Sequence, residues 1–166
     1  MLIKIKDRIT VESIQVLLKH YIKKNKKKRF TPEDIQHSGR VLSVCIYEMT
    51  TIYSGYASKQ ALLDRKYRKM DWCEDHLYPR QYAGESLLKS FLSQQRVDED
   101  LLISKVLQFC QVNRVTSEEN RLLIPFQKSS IFTTPERAYE QVGIQLLEWS
   151  NGMRIDKLFD VYPQLR

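Results

Sequence analysis

The sequence lacks long apolar runs and contains few cysteines. No stretch approaches the ~20 apolar residues that a membrane-spanning helix needs, and residues 1–6 carry neither the apolar run nor the cleavage site of a secretory signal. Cys45, Cys73 and Cys110 are widely spaced and form no Cys-x-x-Cys pair, which excludes a disulfide framework and a zinc ribbon. We therefore expect an intracellular, cytoplasmic protein that does not contact a membrane.

The length of the chain limits the number of domains, and its charge limits the class of partner. The chain has 166 residues, of which 42% are hydrophobic, and this is enough for the core of one compact domain. Lys and Arg number 27 against 20 Asp and Glu, so the net charge is +7. This balance favours nucleic acid as a partner, because each phosphate that a cation neutralises releases counterions. Membranes and acidic proteins also attract basic proteins, but no amphipathic membrane anchor stands out.

Hydrophobic periodicity predicts a mainly helical chain with a few short strands. Residues 1–9 alternate between apolar and charged side chains, which indicates a short strand or an extended arm. Two further apolar segments, 72–78 and 108–115, also indicate strands. Helices are expected over 10–25, 31–53, 58–69, 84–94, 98–107, 117–125 and 134–149.

Capping signals mark the starts of several of these helices. The segment 31–34, Thr-Pro-Glu-Asp, combines a capping hydroxyl, a proline at the first helical position and acids in the first turn. Similar signals begin at Ser58, Thr116 and Thr134. Gly39 lies near the middle of the second helix and is expected to weaken it.

An acidic residue directly before a histidine marks the centre of the chain. Adjacent side chains of a strand point to opposite faces, so Asp75 and His76 act together only if the chain bends or twists there. Pro79 and Gly84 supply that break. Asp75 offers a hard oxygen ligand for Mg²⁺ or a similar ion. Histidine titrates near neutral pH, so His76 suits a general base that takes a proton from water.

A second polar segment lies downstream of this pair. Residues 116–119, Thr-Ser-Glu-Glu, predict a helix start with a hydroxyl cap and acids in the first turn. Asn120 follows about one turn into that helix, and its amide oxygen is a neutral hard ligand. We expect Asn120 to complete a one-metal nuclease site with Asp75, waters and a phosphate oxygen.

These two segments resemble the HNH, or ββα-metal, nucleases, in particular variants with an Asp-His pair first and an asparagine as the last ligand. The resemblance covers about residues 71–127. It implies an endonuclease that hydrolyses DNA phosphodiesters, with His76 as general base. It also implies one Mg²⁺ or Mn²⁺ ion per active site, held by Asp75 and Asn120.

The chain departs from the family pattern in two ways. The residue that orients the general base usually lies nine positions before the helix ligand, and Gln111 occupies that position here. Asn113 follows two residues later, so either side chain is a candidate for orienting His76. The two halves of the motif are also 35 residues apart, which is longer than the family leads us to expect. We expect the insertion, 84–107, to form two helices.

The expected fold class is α+β, mainly helical, with a small ββα-metal motif at the centre. Residues 1–70 are expected to form an N-terminal helical, basic region, and residues 71–127 the nuclease motif with its insertion. Residues 128–166 follow as a C-terminal helical region, and all three regions are expected in one compact unit. The insertion and the N-terminal helices would then carry target specificity or the contacts of a homodimer.

Basic side chains are expected to contact double-stranded DNA. Residues 23–29 carry six positive charges in seven positions, a pattern typical of a mobile segment that grips phosphates. A second group lies on the helix that leads into the motif, and two arginines flank the proposed site. The expected nucleic-acid-binding residues are Lys26, Lys27, Lys28, Arg29, Arg65, Arg68, Arg80 and Arg114.

Two questions stay open at this stage. His76 is equally explained as a structural histidine that pairs with Glu74 or Asp75, with Asn120 on a helix surface. The chain would then be a non-catalytic helical nucleic-acid-binding protein. Within the nuclease hypothesis, the alternatives are a restriction enzyme and a phage- or intron-encoded homing endonuclease, which the Asp-His and Asn arrangement resembles most.

Overall fold

The computed structural model describes residues 4–67, 72–128 and 131–166. The chain divides into two compact units. The first contains Met1–Ile52 and Tyr78–Gln111, and the second contains Tyr53–Leu77 and Val112–Arg166. Each unit is therefore built from two separate stretches of chain. The division into three contiguous regions stays a prediction.

The described residues form eight α-helices and four strands. The helices are α1 (Ile5–Lys27), α2 (Pro32–Tyr47), α3 (Lys59–Lys66), α4 (Arg80–Leu92), α5 (Glu99–Phe109), α6 (Ser117–Leu123), α7 (Pro135–Gln141) and α8 (Leu158–Val161). The strands are β1 (Ile52–Ser58), β2 (Cys73–His76), β3 (Gln111–Val115) and β4 (Leu146–Glu148). The predicted α+β, mainly helical class is confirmed. None of the helices within the described ranges has both the length and the apolarity needed to cross a bilayer.

Local capping explains where several helices begin. Thr31 and Thr116 each form a capping box, in which the hydroxyl accepts a hydrogen bond from the backbone three residues on and the acid there accepts one in return. The side chains of Ser58, Asp98 and Thr134 cap α3, α5 and α7. The predicted starts of α2, α3, α6 and α7 are confirmed.

The first unit packs α1, α2, α4 and α5 around one apolar core. Its fully buried side chains include Ile14, Leu18, Leu42, Ile46, Leu87, Leu88, Phe91, Leu102 and Phe109. The helices α2 and α4 cross so closely that a Cβ added at Gly84 would lie 1.9 Å from the carbonyl oxygen of Gly39. Gly39 therefore serves helix packing, a role that helix propensity alone did not indicate.

The second unit contains a sheet with the strand order β2-β3-β1-β4. The strands β2 and β3 pair antiparallel, with Asp75 opposite Asn113. The strands β1 and β4 also pair antiparallel, with Tyr56 opposite Glu148. The apolar cluster of this unit contains Ala57, Leu62, Leu147, Trp149, Leu158 and Leu165.

Three secondary-structure predictions were wrong. The helix α1 begins at Ile5, so residues expected to form a strand or arm are helical. The helix α2 ends at Tyr47 and the chain continues into β1, although a helix was expected over 31–53. The helix α7 ends at Gln141 and the chain continues into β4. The last two errors have one physical cause, because β1 and β4 pair with each other and this tertiary contact overrides the local helical pattern.

Asp7 connects the first turn of α1 to the chain that follows α2. Its Oδ1 accepts hydrogen bonds from the Thr50 backbone N–H at 2.9 Å and from the Thr50 hydroxyl at 3.1 Å. The backbone hydrogen bond is the main reason that the pKa of this buried carboxyl lies below its ordinary value. The resulting stabilisation is present above the ordinary Asp pKa and is lost as pH falls through the folded-state pKa.

Asp7→Asn is expected to lower the free energy of unfolding by about 1–2 kcal/mol near neutral pH, because a neutral acceptor replaces a charged one. The difference between the two proteins should shrink at acidic pH, where Asp7 itself becomes neutral. Urea unfolding at neutral and at acidic pH measures both quantities. An equal loss at the two pH values would contradict the role given to the charge.

Candidate functional site

The two polar segments singled out in the sequence lie in the second unit. The strand β2 carries Asp75 and His76, and in its register with β3 His76 lies opposite Val112. Thr116 follows β3 directly and caps α6, and α6 contacts β2. The chain therefore runs from an antiparallel strand pair straight into a helix.

Alternation along β2 separates Asp75 from His76. Successive side chains of a strand point to opposite faces, so Asp75 shares a face with Cys73 while His76 shares the other with Glu74. Asn113 lies directly opposite Asp75 in the register and is on the same face. The sheet thus brings Asp75 and Asn113 together and directs His76 to the other side. The prediction that Pro79 and Gly84 bend the chain at this pair is wrong, because Pro79 precedes α4 and Gly84 lies within it.

Asp75 is buried, with 4% of its surface exposed. Its Oδ1 accepts a hydrogen bond from Nε2 of Gln127 at 2.8 Å, and its Oδ2 accepts one from the hydroxyl of Tyr139. Burial raises the pKa of Asp75, and the two hydrogen bonds offset part of that rise. Both oxygens have protein donors, and each carboxylate oxygen retains a further lone pair.

Asn113 extends the same polar network. It is buried, and its Oδ1 accepts a hydrogen bond from the Ser54 hydroxyl. Its side chain also lies near the hydroxyl of Tyr139. Burial, together with the charge of Asp75, raises the pKa of Tyr139 well above its ordinary value, so the phenol stays protonated and remains a donor. The network contains Ser54, Asp75, Asn113, Gln127 and Tyr139.

Asn120 lies in the first turn of α6. Its backbone N–H donates to the carbonyl oxygen of Thr116 at 2.9 Å, and its side chain lies near the Cys73 thiol. Burial raises the pKa of the Cys73 thiol. Because Cys73 and Asp75 share one face of β2, Asn120 lies beside the strand segment that carries Asp75.

Two other residues assigned to catalysis, His76 and Gln111, lie at the ends of strands, and Arg114, assigned to DNA binding, lies within β3. His76 is half-buried at the end of β2. Gln111 begins β3 and lines a shallow pocket of the first unit. Arg114 lies on the His76 face of the strand pair, where its guanidinium carbon is 4.0 Å from the centre of the Tyr53 ring and 4.6 Å from that of Trp72. Arg114 therefore stacks on two aromatic rings.

The remaining residues predicted to bind DNA lie on several elements. Four exposed ones follow each other at the end of α1 and just beyond it: Lys26, Lys27, Lys28 and Arg29. The guanidinium of Arg65 lies 5.6 Å from the ring centre of Trp72, and that of Arg80 lies 5.6 Å from the ring centre of Tyr47. Arg68 lies outside the described residues.

Asp75 and Asn120 offer donors that fit a hard divalent cation. Mg²⁺ is usually bound through one or two carboxylates and keeps several waters, and the second donor here is a neutral amide oxygen. Across the described ranges, no three or more His, Cys, Asp and Glu side chains converge in a way that could hold a metal ion. A metal ion held by Asp75 and Asn120 stays a prediction.

Comparison of the chain with protein-family models, curated proteins and solved structures gave no match.

Sequence reasoning missed the residues that hold Asp75 and Asn113. Gln127 and Tyr139 are separated from Asp75 by 52 and 64 positions, and Ser54 precedes Asn113 by 59. No local signal marks these partners, because the contacts exist only once the sheet and α7 have assembled.

Tyr139→Phe is expected to lower the free energy of unfolding by about 1–3 kcal/mol, because it removes a donor from the buried Asp75 carboxyl. Tyr162→Phe is the matched control, since its hydroxyl donates to the Glu148 carbonyl at an exposed position, and its effect should be smaller. Urea unfolding of the three proteins measures both changes. If Tyr139→Phe and wild type are equally stable, the hydrogen bond from Tyr139 to Asp75 contributes nothing to the free energy of unfolding.

Proposed function

We propose that the chain is a divalent-metal-dependent endonuclease that hydrolyses phosphodiesters of double-stranded DNA. The supporting observation is the position of α6. This helix follows the β2–β3 pair directly, contacts β2 and places Asn120 near Cys73, on the face of β2 that holds Asp75. One proposed oxygen donor thus lies on β2 and the other on the helix that contacts β2. The net charge of +7 favours an anionic substrate.

Each residue of the site has one task in the proposed mechanism. His76 accepts a proton from the attacking water, and because it lies on the face of β2 opposite Asp75, this role requires the end of β2 to twist so that His76 turns toward the Asp75 face. Asp75 and Asn120 would hold the ion, which when bound supplies charge stabilisation at the leaving oxygen and in the transition state. Gln127 and Tyr139 fix the orientation of the Asp75 carboxylate, as outer hydrogen bonds do for many ligating carboxylates.

The identity of the residue that orients His76 stays a prediction. Asn113 lies on the Asp75 face and accepts a hydrogen bond from Ser54, so its side-chain oxygen already has a donor. Gln111 is the other candidate, from its spacing before Asn120, and strand alternation places it on the same face as Asn113. The orienting role is proposed for one of these two residues.

A non-catalytic nucleic-acid-binding protein is the second candidate function. It is favoured by one observation, namely that both oxygens of Asp75 accept protein hydrogen bonds while His76 lies on the other face of β2. The polar network would then be structural, and the basic segments would bind DNA. This candidate predicts binding without cleavage.

Cleavage of supercoiled plasmid and of a longer genomic DNA separates the two candidates. Wild type is incubated with each substrate in Mg²⁺, in Mn²⁺ and in EDTA. The nuclease proposal predicts nicked or linear plasmid with either metal and none with EDTA. Binding of both substrates with no cleavage under any condition would favour the second candidate.

A further inference from the structure

An open groove of about 380 Å³ lies in the first unit, between α1 and the loop that joins α4 to α5. We call it the α1 groove. It is lined by Gln15, Lys19, Ile22, Lys23, Lys26, Gln95, Arg96 and Val97. Four of these residues are cations, and of these Lys23 and Lys26 belong to the basic segment 23–29 that the sequence indicated.

The cations of α1 repeat at helical spacing along one face. With ~1.5 Å of rise per residue, Lys19 and Lys26 are ~10.5 Å apart along the helix axis. The phosphates of one DNA strand advance ~3.4 Å per nucleotide along the duplex. The α1 side of the groove thus spans about three phosphate-to-phosphate steps of one strand.

Helix stability does not explain this arrangement. Like charges four residues apart destabilise a helix, and this applies to Lys19 and Lys23. The carbonyl end of the helix dipole favours cations only near the last turn, whose basic residues are Lys24, Lys26 and Lys27. Lys19 and Lys23 lie before that turn, so the helix dipole does not account for their charges.

Two hydrogen bonds fix the shape of the groove. Nδ2 of Asn25 donates to the Leu92 carbonyl at 3.2 Å, and Nζ of Lys26 donates to the Gln95 carbonyl at 3.4 Å. Both connect α1 to the end of α4 and the loop that follows. The groove is therefore formed before a ligand arrives, which lowers the ordering cost of binding.

The lining of the groove carries charge of one sign. No carboxylate is among its lining residues within the described part of the chain. The acid that follows Val97 is Asp98, whose carboxylate accepts a hydrogen bond from the Leu101 N–H at 2.9 Å as the cap of α5. Four cations without a lining acid create a local positive potential that attracts anions.

We propose that the α1 groove binds the phosphodiester backbone of a nucleic-acid strand. The cationic side chains that pair with phosphate oxygens are Lys19, Lys23, Lys26 and Arg96. The class of partner rests on the proposed function. Contacts of this kind fix the position of the strand and do not read bases, so binding at the groove is independent of sequence.

The test compares two variants that lose the same number of positive charges. The groove variant combines Lys19→Gln, Lys23→Gln, Lys26→Gln and Arg96→Gln. The control variant combines Lys6→Gln, Arg8→Gln, Arg40→Gln and Lys89→Gln, all at exposed positions of the same unit outside the groove. Binding of a fluorescein-labelled duplex of arbitrary sequence is measured in EDTA at a series of salt concentrations.

The groove variant is expected to reduce the slope of log K against log salt concentration by about 2–4, since each lost phosphate contact removes about 0.9. The control variant should change the slope by less than about 1. Lys23→Gln alone should reduce it by about 0.9, which keeps the test valid if the fourfold variant folds poorly.

Equal slope changes in the two fourfold variants, or no change in either, would overturn the groove assignment. Inorganic triphosphate is titrated in parallel. If the groove variant binds triphosphate more weakly than wild type but its DNA slope is unchanged, the ligand of the groove is a free phosphate compound and not a nucleic-acid strand. A wild type that binds no duplex overturns both proposals. The proposed function fails separately, when wild type binds duplex but never cleaves plasmid with Mg²⁺ or Mn²⁺.

Discussion

His76→Ala is expected to slow plasmid cleavage by about 10²–10⁴-fold, the usual contribution of a positioned general base. Alanine cannot take the proton from water, whereas Asp75 and Asn120 are unchanged in this variant. DNA binding should be retained, because no cation of the basic segments is removed. His76→Gln should be equally slow, because an amide does not accept the proton either.

His37→Ala is the matched control for this prediction, because His37 is an exposed histidine of α2 in the other unit. Its cleavage rate should equal that of wild type. Circular dichroism of each variant separates lost chemistry from lost folding. A folded His76→Ala protein that cleaves at the wild-type rate would rule out His76 as the general base.

Gly84→Ala is expected to destabilise the first unit by about 3 kcal/mol or more, at or above the upper end of the usual cost of overpacking. The added Cβ would lie 1.9 Å from the Gly39 carbonyl oxygen and 2.9 Å from the Ser43 backbone nitrogen. Both neighbours are backbone atoms, so neither can rotate away. The helices α2 and α4 would have to separate, and the core between them would open.

The sign of the effect distinguishes packing from helix propensity. A glycine in an exposed helix interior is less favourable than alanine by roughly 1 kcal/mol, so propensity alone predicts that Gly84→Ala is stabilising. Lys89→Ala, at an exposed position of the same helix, should change stability little. Urea unfolding followed by circular dichroism measures all three proteins. A stabilised Gly84→Ala protein would contradict the close crossing.

Local signals were sufficient to predict where helices begin. The capping boxes at Thr31 and Thr116 each involve residues only three positions apart, so the sequence contains the whole interaction. The pairing of β1 with β4 is different, since Tyr56 and Glu148 are far apart in the chain. The strand β4 has three residues, too few to show an alternating pattern, and the preceding segment had helical periodicity.

In the candidate site, too, residues marked by a local pattern could be predicted, and partners brought in by tertiary contacts could not. Asp75, His76 and Asn120 were chosen by residue type and by the family resemblance, and β2 and α6 carry them. The separation of Asp75 from His76 by strand alternation follows from the sequence once β2 is known to be regular. The donors to Asp75 come from Gln127 and Tyr139, which no local pattern connects to it.

Binding of Mn²⁺ to the folded chain tests the central claim, a single ion held by Asp75 and Asn120, most directly. Free Mn²⁺ is followed by electron paramagnetic resonance for wild type, Asp75→Asn and Asn120→Ala. Glu74→Gln serves as control, because Glu74 is exposed and lies on the other face of β2. We predict one ion per chain, with affinity lowered about tenfold or more in the first two variants and unchanged in the control. No binding by wild type, or equal binding by all four proteins, would contradict the claim.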